Sequence, residues 1–600
     1  MKQIIIYLKT FAFICILYLL FSACSDEVKN GKPISAKKIN LQDGVYIFSS
    51  GGNNGIVELQ TTVKNGAIFS IDVLQSSEKE GIGGKAIFLI SKAAIDSNSI
   101  NIDGISGATI TSSCVKRILK ETLLAAGASK KQIQSMPLVL PVPEPDITTY
   151  SYDVIVIGAG GAGLTAALTA REKGARVAVL EKNGFAGGNT QISGGALSVP
   201  GTDLQMQKGI RDSPEQFIQD IVAGGDNKND ITLIEILTKN ALGSYEWLRD
   251  NIGVAFQQNH VRQFGGHSVP RTYIPEENSG DAIIRPLLKK CEDLNIDFFY
   301  NTKAVKLIRN YEAVNGIIAK NNKTTITFYA SRGVILATGG FGANLAMREQ
   351  YNPNFGKKYK TTCLLSSSGD GITMAQEAGA KIIDMEYIQV YPACNPLNGT
   401  ISYVANARFD GAVLVNKEGK RFTDEGGRRD VISQAILAQT DGCAYLVWGN
   451  EIESIGKMTE LHAIEYKNLE KNKLIIKADS LKEAAAFFGI DEKAFSAEIE
   501  KFNTFAANKK DTDFNKTGAL RKIETGPFFI QKVSPATHHT MGGLAINEKA
   551  QVKSADGGFI KGLYAAGEVT GGIHGTNRLG GNAITDIITF GRIAGQNAAE

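Results

Sequence analysis

The chain is poor in several residue types, and each shortage excludes something. Its seven cysteines (Cys15, Cys24, Cys114, Cys291, Cys363, Cys394 and Cys443) form no Cys-x-x-Cys pair. That removes zinc knuckles, dithiol redox pairs and c-type haem attachment boxes. The five beyond Cys24 are scattered, unlike a disulfide framework, and are expected to be buried free thiols. A net charge of +4 is small for 600 residues. With no dense Lys/Arg stripe interleaved with aromatics, it gives no support to nucleic-acid binding. There is no internal repeat and no low-complexity tract. Glycine is the exception to this scarcity. Its 64 residues are about one in nine, against an average near 7%. They gather at 158–163, 187–195, 339–342 and 571–581, as loops do where backbone approaches a large ligand. A loop-rich fold is the plainer reading. The length exceeds one core and predicts two to four domains.

The first residues describe an export signal. Lys2 and Lys9 precede an apolar run from Phe11 to Phe21 that ends in Ser22-Ala23-Cys24. Cysteine after Phe-Ser-Ala resembles a bacterial lipobox, in which Cys24 carries the lipid, although Leu is commoner than Phe there. The rivals are an uncleaved anchor, for which the run falls short of the roughly 20 residues of a spanning helix, and simple secretion. All three place the folded part outside the cytoplasm.

The fold class expected is α/β with added α+β units, divided as follows. Residues 1–24 are the leader and 40–130 a small α+β domain. Its β-branched stretches Gly55–Val63 and Ala67–Val73 flank a turn, and a helical pattern covers Ser112–Ala126. Residues 131–150 form a linker, with four prolines between 136 and 147. A doubly wound nucleotide domain runs over 151–385, an inserted clamp domain over 386–537, and 538–600 completes the nucleotide domain. Its first unit is a strand at Asp153–Ile157, a glycine loop, a helix at Gly161–Lys173 and a strand at Arg176–Leu180.

That loop, Gly158-Ala-Gly160-Gly161-Ala162-Gly163, predicts dinucleotide binding. The first Gly makes the turn, the second lets backbone approach a pyrophosphate, and the third lets the helix pack on the strand. Glu181 ends the next strand, where a carboxylate binds ribose hydroxyls. The turn Gly187-Gly188-Asn189-Thr190, with Gly194-Gly195 and the late segment Gly562-Leu-Tyr-Ala-Ala-Gly-Glu568, points to FAD rather than NAD.

These segments, with Asp370-Gly371, Asn416–Phe422, His538–Gly543, Ala565–Gly572 and His574–Asn582, resemble the fumarate reductase/flavocytochrome c family of FAD-dependent 2-enoate reductases. The resemblance spans about residues 150–600. It implies that Gly158, Gly160, Gly161, Ala162, Gly163, Glu181, Gly188, Asn189, Thr190, Gly194, Gly195, Asp370, Glu568, Ala583 and Ile584 hold non-covalent FAD. It implies that His538 and Arg578, with Gly581, grip a substrate carboxylate, Arg578 through two parallel hydrogen bonds, and that Tyr391, Asn406 and Arg408 also bind the substrate. Arg429 matches the family's proton donor. FAD N5 would deliver hydride to the β-carbon and Arg429 a proton to the α-carbon. Desolvation and the charges of Arg428 and Arg408 are expected to ease that proton's release. The plainer readings are a core His538, a surface ion pair for Arg578, and an Arg429 paired with Asp424 or Glu425.

Three departures refine the expectation. Fumarate-reducing relatives carry His where Tyr391 stands, and Thr-Glu where Val404 and Ala405 stand. The far end of the pocket is therefore read as suiting an aromatic or apolar group. Tyr391 resembles urocanate reductases, but those have Asp in place of Asn406, so cinnamate-like acids stay open. The third departure is a missing multihaem domain. The segment Asp103-Gly-Ile-Ser-Gly-Ala-Thr109-Ile-Thr-Ser112 resembles the flavinylation motif of FMN-binding domains, which implies covalent FMN at Thr109. A membrane electron donor and a flavin transferase follow as partners. A Ser/Thr helix cap is the plainer reading. The alternatives in function are a fumarate reductase with a rebuilt pocket and a non-catalytic flavin electron carrier.

Overall fold

The computed structural model describes residues 41–78, 83–105, 108–139, 148–310, 313–322, 324–516 and 518–600. The leader and Cys24 lie outside them. Among the described residues no helix is long and apolar enough to cross a membrane. Two compact units divide the chain after Pro145.

The first unit is a three-stranded antiparallel sheet, Gly44–Gly51, Ile56–Lys64 and Ala67–Ser76. Val57, Leu59 and Val63 alternate inward along the middle strand and are buried. They share a core with Ile87 and Ile90 of the helix Lys85–Ser97 and with Val115, Ile118 and Leu119 of the helix Thr109–Ala125. The strand Gly44–Gly51 and the helix Lys85–Ser97 extend the two strands and one helix read from the sequence.

The second unit is built on an α/β sheet. Its path is Gln551–Lys553, Phe559–Ala565, Thr324–Leu336, Thr148–Ile157, Val177–Leu180 and Asp297–Phe299, and the last five are parallel neighbours. Val154 to Ile157 are all buried, as a strand covered on both faces requires. The helix Gly161–Glu172 returns from that strand and packs against the C-terminal helix Asn582–Ala599. The sheet is thus completed by chain from both ends of the unit.

A second sheet is organised by one 13-residue strand, Phe528–Thr540. Ile388–Cys394, Ala444–Trp448 and Ile475–Ala478 pair with it antiparallel, and Lys360–Thr361 pairs parallel. The core around this sheet reaches from Tyr391 to Ala536 and includes Trp448, Phe495 and Phe502. Arg421, Glu425, Asp511 and Lys516 form a buried ionic network in the same region. The strand's last residues, His538 to Thr540, lie outside that core, and Thr540 Oγ1 accepts from the Phe341 amide. The five described cysteines are free and buried, as expected.

Candidate active site

A cavity of about 880 Å³ opens beside the end of the strand Thr148–Ile157 and extends to the second sheet. At its near end the glycine loop makes a tight turn and a close helix–strand contact. Gly158 has φ +103°, and a Cβ on Gly163 would lie 1.8 Å from the Gly158 carbonyl oxygen. A Cβ on Gly160 would meet only the Gly187 carbonyl oxygen at 3.9 Å, so its free side faces the cavity. The helix Gly161–Glu172 starts with no side-chain cap, which leaves its first N–H groups for an anion. Glu181 accepts hydrogen bonds from the amides of Ala159 (2.9 Å) and Asn183 (2.8 Å), which fix its carboxylate at the cavity wall. Asn189 is held by Leu364 N and Ser367 Oγ. Asp370 lines the same wall and pairs with Lys182 (2.6 Å) and Lys303 (3.0 Å). Burial alone would raise its carboxyl; the two lysines hold it low. The helix Asn582–Ala599 also starts uncapped, after Gly581 at φ +87°, and Gly581, Ala583 and Ile584 line the cavity. Uncapped helix starts, an open Gly160 and a fixed carboxylate fit the phosphates and ribose of FAD.

At the far end four segments converge. Strand Phe528–Thr540 brings His538 and His539, and the adjacent strand brings Tyr391, registered opposite Ala536. The helix Arg429–Leu437 begins with Arg429, and the segment 574–581 leads Arg578 into the C-terminal helix. The rings of Tyr391 and His538 stand 5.2 Å apart. The guanidinium carbons of Arg429 and Arg408 lie 5.1 and 5.4 Å from the Tyr391 ring centroid. Arg408 Nη2 reaches the Tyr391 hydroxyl at 3.5 Å. His538 Nδ1 meets Thr362 Oγ1 at 2.8 Å. Arg578 is buried, not part of a surface ion pair: Nη2 donates to Gln389 Oε1 (2.9 Å) and Nη1 to the Leu579 carbonyl (3.1 Å). Glu568, nearby, accepts from the Thr540 amide at 3.0 Å.

The electrostatics favour an anion. Burial pushes Arg578 down to about 9, with Arg429 adding to the fall, and burial pushes Arg429 down to about 10. Tyr391 opposes the second shift and Arg408 adds to it. Burial, then Arg578 and Arg429, hold His538 well below the ordinary histidine range, so it is neutral. Arg429 Nη1, Arg578 Nε and Arg408 Nε are buried without hydrogen-bond partners among the described residues. Such donors call for an acceptor.

Two expectations need correction. Arg428 does not bear on Arg429, because its charge is taken up by Asp226 (2.7 Å) and Asp430 (2.9 Å). Glu425 is not Arg429's partner either, since it is committed to Arg421 and Lys516. Of the substrate residues, Asn406 and Gly581 line the cavity, whereas Arg408 reaches it through Tyr391. Gly163 stands behind the loop, against Gly158. Thr362, Phe264 and Phe409 line the cavity, Gln389 holds Arg578 and His267 stands behind Gly580; the sequence reading assigned a role to none of them. Phe264 stacks on Phe409 at 5.4 Å, Arg408 lies over Phe409 at 4.3 Å, and His267 Nε2 lies 2.8 Å from the Gly580 carbonyl oxygen.

The FAD binding domain profile matches residues 153–584 and the FMN-binding domain profile residues 52–124. Urocanate reductase of Eggerthella lenta is 40% identical over 555 residues, which covers 92% of this chain and 91% of that protein. The chain belongs to the FAD-dependent family of urocanate and fumarate reductases. Another relative is the fumarate reductase (cytochrome) of Shewanella frigidimarina, 38% identical over 452 residues, 75% of this chain and 77% of that protein. The solved open conformation of a flavocytochrome c3 fumarate reductase matches with a TM-score of 0.64 and 35% identity over 80% of each chain. As a family member, the protein is a FAD-dependent oxidoreductase acting on C=C bonds, and its reaction is the flavin-dependent reduction of an unsaturated carboxylate.

Its FMN-binding unit holds Thr109 as the first residue of a 17-residue helix. The cap position is Ala108, with no side-chain cap bond, and Thr109 is exposed. The Ser/Thr-cap reading therefore has no hydrogen bond behind it. Ser106 and Gly107 of the motif lie outside the described residues.

Proposed function

We propose that this protein is an exported, two-flavin reductase of a urocanate- or cinnamate-like enoate. The observation that carries the reading is the meeting of His538, Arg578 and Arg429 around Tyr391, at the far end of a cavity that begins at the dinucleotide loop. Arg578 and His538 bind the substrate carboxylate and orient the double bond. Bound flavins supply the reducing equivalents, FMN from a membrane donor and FAD as hydride to the β-carbon. Arg429, relieved of its proton more easily by burial, protonates the α-carbon. The aromatic pair Phe264–Phe409 on the cavity wall supports a ring at the other end of the substrate. Fumarate is the second reading, favoured by Arg408, whose unpartnered Nε would suit another carboxylate.

Photoreduced protein should be offered urocanate, cinnamates, fumarate and methacrylate, with flavin reoxidation followed by absorbance. Urocanate or a cinnamate is expected to reoxidise it. Reoxidation by fumarate alone would overturn the pocket argument, and by none of them the reductase reading. Arg429→Ala should abolish turnover with FAD still bound; retained turnover removes Arg429 from the mechanism.

The reading also has Thr109 joined to FMN through a phosphoester formed by a flavin transferase. An exposed hydroxyl at an uncapped helix start supports it, because that is where a phosphate is stabilised. Protein coexpressed with the transferase should fluoresce in a denaturing gel, and Thr109→Ala should not. Fluorescence in the variant would rule this residue out. Export with lipid at Cys24 rests on the leader sequence, and radiolabelled palmitate incorporation lost in Cys24→Ala tests it.

A further inference from the structure

We infer that Asp226 is a positioning residue that ties Arg429 and Arg578 to one reference point, and so sets the gap between proton donor and carboxylate binder. The inference rests on the roles proposed for those two arginines. Asp226 stands just past the helix Pro214–Gly224. Its two carboxylate oxygens accept from Arg428, Oδ1 from Nη1 at 2.7 Å and Oδ2 from Nη2 at 3.1 Å. Arg428 is the residue before Arg429 and the N-cap of its helix. On its other side Arg428 donates to Asp430 at 3.1 and 2.9 Å, so its guanidinium is held between two carboxylates. The start of the helix that bears Arg429 is thereby fastened to Asp226.

The same Asp226 carboxylate accepts from Thr576 Oγ1, two residues before Arg578. Backbone bonds strengthen this arm. The Thr576 amide donates to the Gly225 carbonyl at 3.2 Å, and Asn577 Nδ2 donates to the Gly224 carbonyl at 3.3 Å. One carboxylate thus holds the clamp-side acid through Arg428 and the binding segment through Thr576. The chemistry needs such a reference, because the α-carbon to be protonated is placed by Arg578 while the proton comes from Arg429. A displacement of about 1 Å between such groups costs roughly a hundredfold in rate. As a half-exposed ion pair, the same contact contributes at most about 1 kcal/mol to stability. A merely structural role and a positioning role therefore predict different outcomes.

Asp226 has φ +55°, a conformation that Asp and Asn adopt with least penalty. Asp226→Asn therefore removes the charge and keeps the backbone. Holoenzyme variants would be photoreduced and reoxidised with the enoate that serves the wild type, urocanate first. Arg428→Gln should lower kcat by at least roughly tenfold with KM within about threefold, because only the acid is displaced. Thr576→Val should raise KM by at least about threefold with kcat little changed, because only the binder is loosened. Asp226→Asn should do both, with thermal stability unchanged. Hydrogen exchange on oxidised holoenzyme gives a readout free of substrate: Asp226→Asn should speed exchange in 429–433 and in 574–578 together. Wild-type kinetics in Asp226→Asn beside an inactive Arg429→Ala would overturn the tie and leave the mechanism standing, as would unchanged exchange in either segment. Wild-type rates in Arg429→Ala would overturn the mechanism itself, and the tie's purpose with it.

Discussion

Raising the pH should separate the two arginines that the proposed mechanism needs charged. Arg578 is pushed down to about 9 and Arg429 to about 10, burial being the main cause in each. Both act as cations, so both contributions are present at neutral pH and are lost as pH rises through the shifted values. In the free enzyme Arg578 deprotonates first. A neutral guanidine forms no charge-assisted pair with a carboxylate, so kcat/KM, which reports the free enzyme, falls above about pH 9. Each further pH unit leaves about a tenth as much cation, a tenfold loss in carboxylate capture that corresponds to about 1.4 kcal/mol.

Once substrate is bound, its own negative charge keeps the Arg578 proton in place. The limiting rate kcat then follows the acid, Arg429, and bends downward nearer pH 10. His538 contributes no inflection near the ordinary histidine value, because burial and the two arginines keep it neutral well below that. Stopped-flow reoxidation of the photoreduced holoenzyme between about pH 6 and pH 11 measures both curves, with circular dichroism to confirm that the protein stays folded. A kcat/KM flat to the alkaline end would refute a charged Arg578 as the carboxylate binder. An inflection near pH 6.5 in either curve would refute a neutral His538.

Two further variants probe the scaffold. Gly163→Ala would place a Cβ 1.8 Å from the Gly158 carbonyl oxygen, so the loop must open and FAD retention should fall below a tenth of wild type; full flavin stoichiometry would refute the packing argument. Glu425→Gln strips a buried carboxylate from Arg421 (2.9 Å) and Lys516 (3.1 Å), which should cost about 3–5 kcal/mol, seen as a lowered midpoint in denaturant. Burial alone would raise that carboxyl, but Lys516, ahead of Arg421, holds it below its ordinary value. The stabilisation is therefore present above the ordinary carboxylate range and lost as pH falls below it through the lowered folded-state value. An unchanged midpoint at pH 7 would refute the network's contribution.

What was legible in the sequence was local. The glycine loop states its geometry in six consecutive residues, since the turn at Gly158 and the close approach at Gly163 are contacts within one βα unit. The helical pattern over Ser112–Ala126 was readable because its apolar residues recur along the chain, and the helix found there is Thr109–Ala125. The strands that carry function were less so: Phe528–Thr540 is buried along most of its length, and its partners come from four separate segments. The arginines show the same division. Arg428 and Arg429 are adjacent and chemically identical, and the sequence reading set both to work on one proton. Only the fold distinguishes them. Asp226, 202 residues away, neutralises Arg428, while Arg429 lies over Tyr391, with Nη1 unpartnered among the described residues. What separates the two is the carboxylate that the fold brings to Arg428 from a distant segment, and no local pattern records which of two neighbouring arginines it will reach.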